Sequence, residues 1–204
     1  MQKVQHRWED KMNTFLETKR LILRQFTEED ADNLFELDSD TEVIRFTTNA
    51  GQPTNYKIIQ TKILPSYFSY YEKYESYGCW AAIEKSTQAF IGWFLFRPIV
   101  HASYFNPKLA NSSDIELGYR LRKAAWGKGY ATEGAKSLIT KGFSELGTQR
   151  VLAVALAANL ASIRVLEKVG LKLHTRLISE YNNQEVVIYA IKKDLFNSEK
   201  SISV

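Results

Sequence analysis

The chain has 204 residues, of which 45% are hydrophobic and 25% are charged, as is typical of a soluble globular protein. No apolar run reaches the ~20 residues that a membrane-spanning helix needs, and the polar residues 1–13 lack the apolar segment of a secretory signal. We therefore expect a cytoplasmic protein with no membrane partner. We expect residues 1–204 to form one domain, with 1–13 and 197–204 loosely ordered.

The charged and metal-binding residue types exclude several kinds of site. The net charge of +4 suits a polyanionic ligand, but the basic residues are scattered along the chain, so we expect no nucleic-acid partner. The single cysteine, Cys79, excludes an internal disulfide, and its place among strand residues predicts a small buried group rather than a nucleophile. The histidines lie far apart in the sequence, so we expect no metal site.

The first part of the chain predicts a strand followed by helices. Residues 18–24 alternate leucines with basic residues, which indicates an edge or half-buried strand. Thr27, followed by acidic residues, indicates the start of a helix. Apolar residues recur at helical spacing over 56–74, where Pro65 predicts a kink or a break. The tyrosines of this region form either a packing face, which we favour, or the wall of a substrate cleft. They are Tyr67, Tyr70, Tyr71, Tyr74 and Tyr77.

A hairpin and a long loop follow. Residues 80–84 and 90–96 predict two paired strands, in which Gly92 marks a close approach of two backbone segments. Residues 101–113 are polar and rich in turn-forming residues. A loop of this length is either a surface excursion or an element that faces the substrate.

Residues 114–133 combine a strand, a glycine-containing turn and a helix. Apolar residues at 115, 117, 119 and 121 alternate with Glu116, Gly118 and Arg120, which predicts a strand with two different faces. The string WGKG at 126–129 then leads directly into a helix. Glycines allow a backbone to approach a ligand closely, and the first-turn amides of a helix lack internal partners. The arrangement therefore predicts a site for an anion such as a diphosphate.

The last part of the chain predicts a second buried strand, a helix and a closing hairpin. Residues 150–158 are continuously apolar, which is typical of a strand buried on both faces. Asn159 predicts the N-cap of the following helix, and Gly170 predicts its end. A strand, a helix and another strand in this order indicate a right-handed parallel crossover. Residues 171–177 and 186–191 predict the two strands of an antiparallel hairpin.

The string ELGYRL…WGKGYATEG resembles the acetyl-CoA loop of the GNAT N-acetyltransferases. It looks most like the branch that contains the ribosomal-protein N-terminal (alanine/serine) acetyltransferases, and the resemblance runs from about Thr18 to Leu195. It implies the GNAT acyl-CoA N-acyltransferase fold, an α/β (α+β) architecture with helices on both faces of a mixed central sheet. In this fold the sheet splays between the central strand and the parallel strand that follows it. The resemblance also implies acetyl-CoA as the cosubstrate.

The resemblance assigns the contacts with acetyl-CoA to three segments. In the family, the backbone of the central strand pairs with the pantetheine arm and offers an amide to the thioester oxygen. The loop amides hold the diphosphate, and the start of the later helix also touches CoA. The residues assigned in this way are Leu117, Gly118, Tyr119, Leu121, Arg122, Trp126, Gly127, Lys128, Gly129, Tyr130, Ala131, Asn159 and Ser162. Ala124 stands where the family usually has Gln or Arg, so one side-chain contact to the phosphates is either missing or supplied by Lys123.

Glu116 and Ser162 are the candidate catalytic residues. Glu116 lies opposite the apolar row of its strand, and a related branch carries a glutamate there that draws a proton through water. A salt bridge with a neighbouring basic residue is the alternative, and Glu180, Glu185 or water are the other candidate bases. Many family members place a tyrosine acid where this chain has Leu166, and the resemblance gives the contact with the sulfur to Ser162 instead. Ser162 also suits a plain helix cap.

These features predict an enzyme that transfers acetyl from acetyl-CoA directly to a primary amine, without a covalent enzyme intermediate. We prefer a protein N-terminal α-amine as the acceptor, because of the family branch and because an α-amine titrates near ~8 whereas a lysine titrates near ~10.4. A small-molecule amine, such as a polyamine, amino acid or aminoglycoside, is the alternative acceptor. A non-catalytic acyl-CoA-binding sensor is the alternative class of protein, and we expect a monomer or a homodimer.

Overall fold

The computed structural model describes residues 14–47, 51–102, 104–179 and 183–196. The predicted N-terminal arm, the predicted C-terminal tail and the candidate base Glu180 lie outside these residues. Within the described ranges, no helix is both long enough and apolar enough to cross a membrane.

The described residues form an eight-stranded sheet with helices on both faces. The strands are β1 (Thr14–Glu17), β2 (Leu21–Arg24), β3 (Gly78–Glu84), β4 (Phe90–Pro98), β5 (Ile115–Leu121), β6 (Arg150–Leu156), β7 (Lys172–Ile178) and β8 (Glu185–Lys192). The α-helices are α1 (Ala31–Ser39), α2 (Thr41–Ile44), α3 (Tyr56–Ile58), α4 (Leu64–Lys73), α5 (Tyr130–Ser144) and α6 (Leu160–Lys168). A π-helical segment, Ile59–Ile63, joins α3 to α4, and 3-10 turns lie at Glu28–Asp30, Ile99–His101 and Lys123–Ala125.

The sheet is mixed, and it opens between β5 and β6. Its strand order is β1-β2-β3-β4-β5-β6-β8-β7, in which β5 and β6 run parallel. These two strands pair only where Ile115 faces Val151 and where Glu116 faces Leu152. On its other side, by contrast, every residue of β5 pairs with β4. The predicted splay is therefore present. It leaves one backbone edge of residues 117–121 without a neighbouring strand.

Hydrophobic packing places different helices on the two faces of the sheet. On one face, α5 and α6 pack, through residues such as Leu138 and Leu166, against the odd-numbered residues of β5. On the other face, α1, the π-helical segment and α4 pack against β3 and β4, through Leu34, Ile59 and Leu64. The predicted alternation of β5 is confirmed, because its even-numbered residues face the side that carries α1.

The N-terminal strand is shorter than predicted. The hydroxyl of Thr18 accepts a hydrogen bond from the Leu21 amide at 2.9 Å, so the chain turns at Thr18 and the strand begins only at Leu21. One edge of the sheet is β1, which pairs antiparallel with β2 and which the sequence pattern did not indicate.

Two irregularities that the sequence predicts are present. In a regular helix a proline ring clashes with the carbonyl group four residues earlier. The π-helical segment, which is wider than an α-helix, ends directly before the first turn of α4, and that turn contains Pro65. At Gly92 the φ angle is 137°, and a Cβ there would lie 2.1 Å from the carbonyl oxygen of Arg120. Only glycine fits this close approach of β4 to β5.

Candidate active site

The loop that follows β5 presents free backbone amides at the start of α5. Gly127 and Gly129 have positive φ angles of 74° and 81°, which residues with a side chain adopt only at a cost. A Cβ at Gly127 would meet no atom within 4 Å, so this part of the loop faces open space. Among the described residues, the amides at 127–131 have no backbone acceptor, as is normal for the first turn of a helix. The loop therefore fits a diphosphate, which needs open access and several N–H donors.

Thr18, Arg20 and Glu133, which we call the loop brace, hold this loop from the opposite side. Glu133 accepts hydrogen bonds from the Thr18 hydroxyl at 2.6 Å, from the Arg20 amide at 2.8 Å and from Arg20 Nε at 2.6 Å. Arg20 Nη1 donates to the carbonyl of Lys128 at 2.8 Å, and the guanidinium lies 4.4 Å from the centroid of the Tyr130 ring. Burial alone would raise the pKa of Glu133, but the hydrogen bonds from Thr18 and Arg20 outweigh it and lower that pKa.

Other basic side chains near the loop have partners elsewhere. Arg122, a predicted acetyl-CoA contact, donates to Glu36 of α1 at 2.7 Å. Lys123, the predicted substitute for the missing family side chain, lies 3.8 Å from Glu42 of α2. The guanidinium that touches the loop is that of Arg20, which the sequence pattern did not single out.

Three further predicted contacts have side chains that serve the fold. Leu121 is buried in the core, and Trp126 Nε1 donates to the carbonyl of Leu121 at 2.8 Å. The hydroxyl of Tyr130 donates to Glu84 at the end of β3. These contacts fix the path of the chain from β5 into α5.

The opening between β5 and β6 brings Tyr119 and Ser162 together. The Tyr119 hydroxyl lies 3.0 Å from Ser162 Oγ and 3.1 Å from the Ser162 carbonyl oxygen, so it bridges β5 and the first turn of α6. Asn159 is the N-cap, as predicted, and its Oδ1 accepts from the Ser162 amide at 3.1 Å. Burial raises the pKa of Tyr119 to about 12, so this phenol is protonated at neutral pH. Leu166, which replaces the usual family tyrosine, is 1% exposed in the core.

Glu116 lies on the opposite face of β5, and both of its carboxylate oxygens have partners. Arg97 of β4 stands opposite it in the sheet, with Nε 2.8 Å from Oε2. The hydroxyl of Tyr104, in the loop after β4, donates to Oε1. The salt bridge that the sequence left as an alternative is therefore present. A carboxylate has about four acceptor sites, so these two contacts leave it capacity for a further donor.

The loop between β4 and β5 faces this carboxylate. Tyr104 reaches Glu116, while Phe105 and Leu109 pack into a small hydrophobic cluster beneath the loop. His101 Nε2 lies 2.8 Å from the hydroxyl of Tyr74. The described part of the loop therefore packs beside Glu116, and a role toward the substrate stays a prediction.

The tyrosines of the helical region divide between packing and this surface. Tyr67 packs against Phe26, and Tyr71 stacks on Trp80, with ring centroids 5.2 Å apart in each pair. Tyr70 and Tyr74 instead border the loop at His101.

Farther along the face of β5 that carries Glu116, Arg120 pairs with Asp38 of α1 and lies over the ring of Trp93. We call the surface formed by Asp38, Trp93, Arg97, Tyr104, Glu116 and Arg120 the Glu116 face.

The remaining candidate residues lie outside the loop brace and the Glu116 face. Glu185, the other candidate base, lies on the closing hairpin and forms an ion pair with Arg176 of β7, with an N–O distance of 3.5 Å. Burial raises the pKa of the Cys79 thiol to about 12, as expected for an inert cysteine. The described part of the chain contains no cluster of three or more His, Cys, Asp or Glu side chains arranged to hold a metal ion.

Comparison with known proteins agrees with this geometry. Residues 20–172 match the family model described as the acetyltransferase (GNAT) domain. The chain is 31% identical to the uncharacterized N-acetyltransferase YoaA of Bacillus subtilis (strain 168), over 78% of this chain and 83% of that protein.

Solved structures with lower identity show a similar fold. Aminoglycoside acetyltransferase AAC(6')-Ib in complex with coenzyme A gives a TM-score of 0.72 at 18% identity, covering 88% of this chain and 99% of that chain. RimL, a ribosomal L7/L12 alpha-N-protein acetyltransferase in complex with coenzyme A, gives a TM-score of 0.71 at 16% identity, covering 89% and 99%. With the family match over most of the sequence, the chain belongs to the GNAT acetyltransferases and is an acetyl-CoA-dependent N-acetyltransferase.

Proposed function

We propose that the acetyl acceptor is the α-amine of a polypeptide N-terminus, as the resemblance to the ribosomal-protein branch implies. The observation that carries this choice is the charge balance of the Glu116 face. One solved structure with a similar fold is named as an alpha-N-protein acetyltransferase and another as an aminoglycoside acetyltransferase. The fold alone therefore does not identify the acceptor.

Each acidic group of the Glu116 face is paired with an arginine. Glu116 pairs with Arg97, and Asp38 pairs with Arg120; both carboxylate side chains are only 9% exposed. A polycationic acceptor, such as an aminoglycoside or a polyamine, is recognised by several carboxylates that are free to pair with it. A peptide N-terminus brings one amine and an otherwise neutral backbone. The paired carboxylates therefore support an acceptor with a single reactive amine.

The chemistry of an α-amine also suits this face. An α-amine titrates near ~8, so about a tenth of it is already neutral at pH 7, whereas a lysine with a pKa near ~10.4 is almost fully protonated there. We propose that Glu116 takes the amine proton directly or through water, using acceptor capacity beyond its contacts with Arg97 and Tyr104. No nucleophilic side chain is needed, since the substrate amine itself attacks the thioester.

The free edge of β5 and the adjoining loop receive the cosubstrate in this proposal. The amides at 127–131 hold the diphosphate, and the free edge of residues 117–121 pairs with the pantetheine arm. One amide among Leu117, Gly118 and Tyr119 donates to the thioester oxygen. Ser162, at the start of α6, donates to the sulfur.

The test is an acceptor panel assayed by release of the coenzyme A thiol and by mass spectrometry of the product. It contains short peptides that begin with Ala or Ser and include an internal lysine, the same peptides with a blocked N-terminus, a polyamine, an aminoglycoside and free amino acids. We expect turnover of the unblocked peptides, with the added mass on the first residue.

Two results would contradict the proposal. One is equal turnover of blocked and unblocked peptides, which would assign the reaction to lysine. The other is turnover of the aminoglycoside, polyamine or free amino acid with a kcat/KM above that of every peptide. A Gly129→Val enzyme, which should bind the cosubstrate at least about tenfold more weakly, serves as the background control.

A further inference from the structure

Tyr119 crosses the opening in which the pantetheine arm is proposed to lie. Its ring rises from β5 beside Phe94, with ring centroids 6.1 Å apart, and its hydroxyl reaches the first turn of α6. There it lies 3.0 Å from Ser162 Oγ and 3.1 Å from the carbonyl oxygen of the same residue. The phenol thus touches the one residue that the resemblance places at the sulfur.

This contact limits where the Ser162 hydroxyl can point its own proton, since either oxygen of the pair can be the donor. The phenol has one proton, which it gives either to Ser162 Oγ or to the Ser162 carbonyl. When Oγ accepts it, the serine proton cannot point back at the phenol. Without the phenol, a serine hydroxyl in the first turn of a helix is free to seek nearby backbone acceptors.

We propose that Tyr119 is a positioning residue, which holds the Ser162 hydroxyl as a donor directed at the sulfur of coenzyme A. This inference rests on the proposed role of Ser162. Tyr119 supplies its phenol from the central strand β5. Leu166, at the helix position where many relatives carry a tyrosine, is buried in the hydrophobic core instead.

The step that this contact assists balances without any further reagent. The amine nitrogen forms a bond to the thioester carbon, the carbon–sulfur bond breaks, and the sulfur leaves with the bonding electron pair. The nitrogen loses one proton and the sulfur gains one, so nothing is oxidised or reduced. A donor at the sulfur stabilises negative charge that grows as this bond breaks, so it acts mainly in the transition state.

The experiment compares the wild type with Tyr119→Phe, Ser162→Ala and the matched control Tyr189→Phe. Tyr189 of β8 is also a buried tyrosine whose hydroxyl bonds to α6, but its partner is Glu167, at 3.0 Å, near the other end of the helix. The control therefore loses a comparable hydrogen bond without touching Ser162.

The first readout requires no acceptor. The thiolate absorbance of bound coenzyme A is followed against pH, and a donor at the sulfur lowers the pKa of the bound thiol. We expect Tyr119→Phe and Ser162→Ala both to raise that pKa, and Tyr189→Phe to leave it at the wild-type value. The affinity for a desulfo analogue of coenzyme A should be the same in all four proteins.

The second readout is turnover with the best amine of the acceptor panel. We expect Tyr119→Phe to lower kcat about tenfold with little change in the KM for acetyl-CoA. The double variant should be no worse than Ser162→Ala alone, because both changes remove the same contact.

An unchanged thiol pKa in Tyr119→Phe, or losses in kcat that add in the double variant, would overturn this inference. If Tyr119→Phe does not fold, an unchanged thiol pKa in Ser162→Ala decides against it equally. If no peptide is acetylated, the proposed acceptor is wrong, yet the thiol readout still tests the role of Tyr119.

Discussion

Arg97 and Glu116 stand opposite each other in the pairing of β4 with β5, and Arg97 Nε lies 2.8 Å from Glu116 Oε2. The negative charge of the candidate base is thus balanced by the neighbouring strand before any substrate arrives. A positively charged amine is therefore not needed to balance the charge of the carboxylate.

Replacing Glu116 with Gln should lower kcat at pH 7 by at least about tenfold, because the proton acceptor is lost while the shape is kept. The defect should shrink as the pH rises past the amine pKa of ~8, where the amine is already neutral. The measurement is kcat against pH for both enzymes with an N-terminal peptide. Glu185→Gln, at the surface pair with Arg176, is the control. A defect of constant size at every pH would assign Glu116 to positioning alone.

Replacing Gly129 with Val should lower the affinity for coenzyme A at least about tenfold, since φ is 81° there and the loop would have to move. Calorimetry measures the affinity and thermal unfolding reports the fold. Gly147→Val is a control, because Gly147 has a similar φ of 70° but lies beyond the far end of α5. Equal affinities in the two folded variants would remove the loop from the cosubstrate site.

The loop brace should make cosubstrate binding sensitive to acid. The pKa of Glu133 is lowered in the folded protein, so the stabilisation it gives is complete above the unfolded value of ~4.3 and is lost as the pH falls through the lower folded value. Glu133→Gln should therefore weaken coenzyme A binding several-fold at pH 7 and bring it near the wild-type affinity at low pH. Binding measured across this range tests the role, and a ratio that does not change with pH would exclude it.

The local features of this site follow from spacing, and the contacts between distant segments do not. The two faces of β5, the glycine loop and the Asn159 cap each depend on residues a few positions apart, so the sequence predicted them. Arg97 and Tyr104 became partners of Glu116 only through the register of β4 on β5 and the path of a long loop. The sequence pattern gave neither of these.

Two other contacts depend on topology in the same way. Arg20 and Glu133 are separated by 113 positions, and Tyr119 and Ser162 by 43. Each pair is brought together by the order of strands in the sheet. Sequence reasoning therefore assigned Tyr119 through its backbone alone and did not assign its hydroxyl.

Asp30 should control stability toward acid at the start of α1. It is 1% exposed and accepts hydrogen bonds from Arg24, from the Thr27 amide and from Asn33. Burial alone would raise its pKa, but these contacts outweigh burial and lower it. Its stabilisation is therefore complete above ~3.9 and is lost as the pH falls through the folded value.

Replacing Asp30 with Asn should lower the free energy of unfolding by about 2–3 kcal/mol at pH 7, because the buried ion pair between Asp30 and Arg24 is lost. The variant should also lose less stability than the wild type between pH 5 and pH 2. Urea unfolding at several pH values measures both effects, and parallel pH curves for the two proteins would contradict the assignment.

The seven residues of β5 separate the two substrates of the proposed reaction. In this proposal the side chains of Glu116 and Arg120 form part of the wall that the amine meets, whereas those at 117, 119 and 121 face α5 and α6. Because neighbouring residues of a strand point in opposite directions, a substitution on one side leaves the other side largely intact. Acceptor choice can therefore diverge among descendants of this sequence through every second position of a single strand, while the use of acetyl-CoA is inherited unchanged.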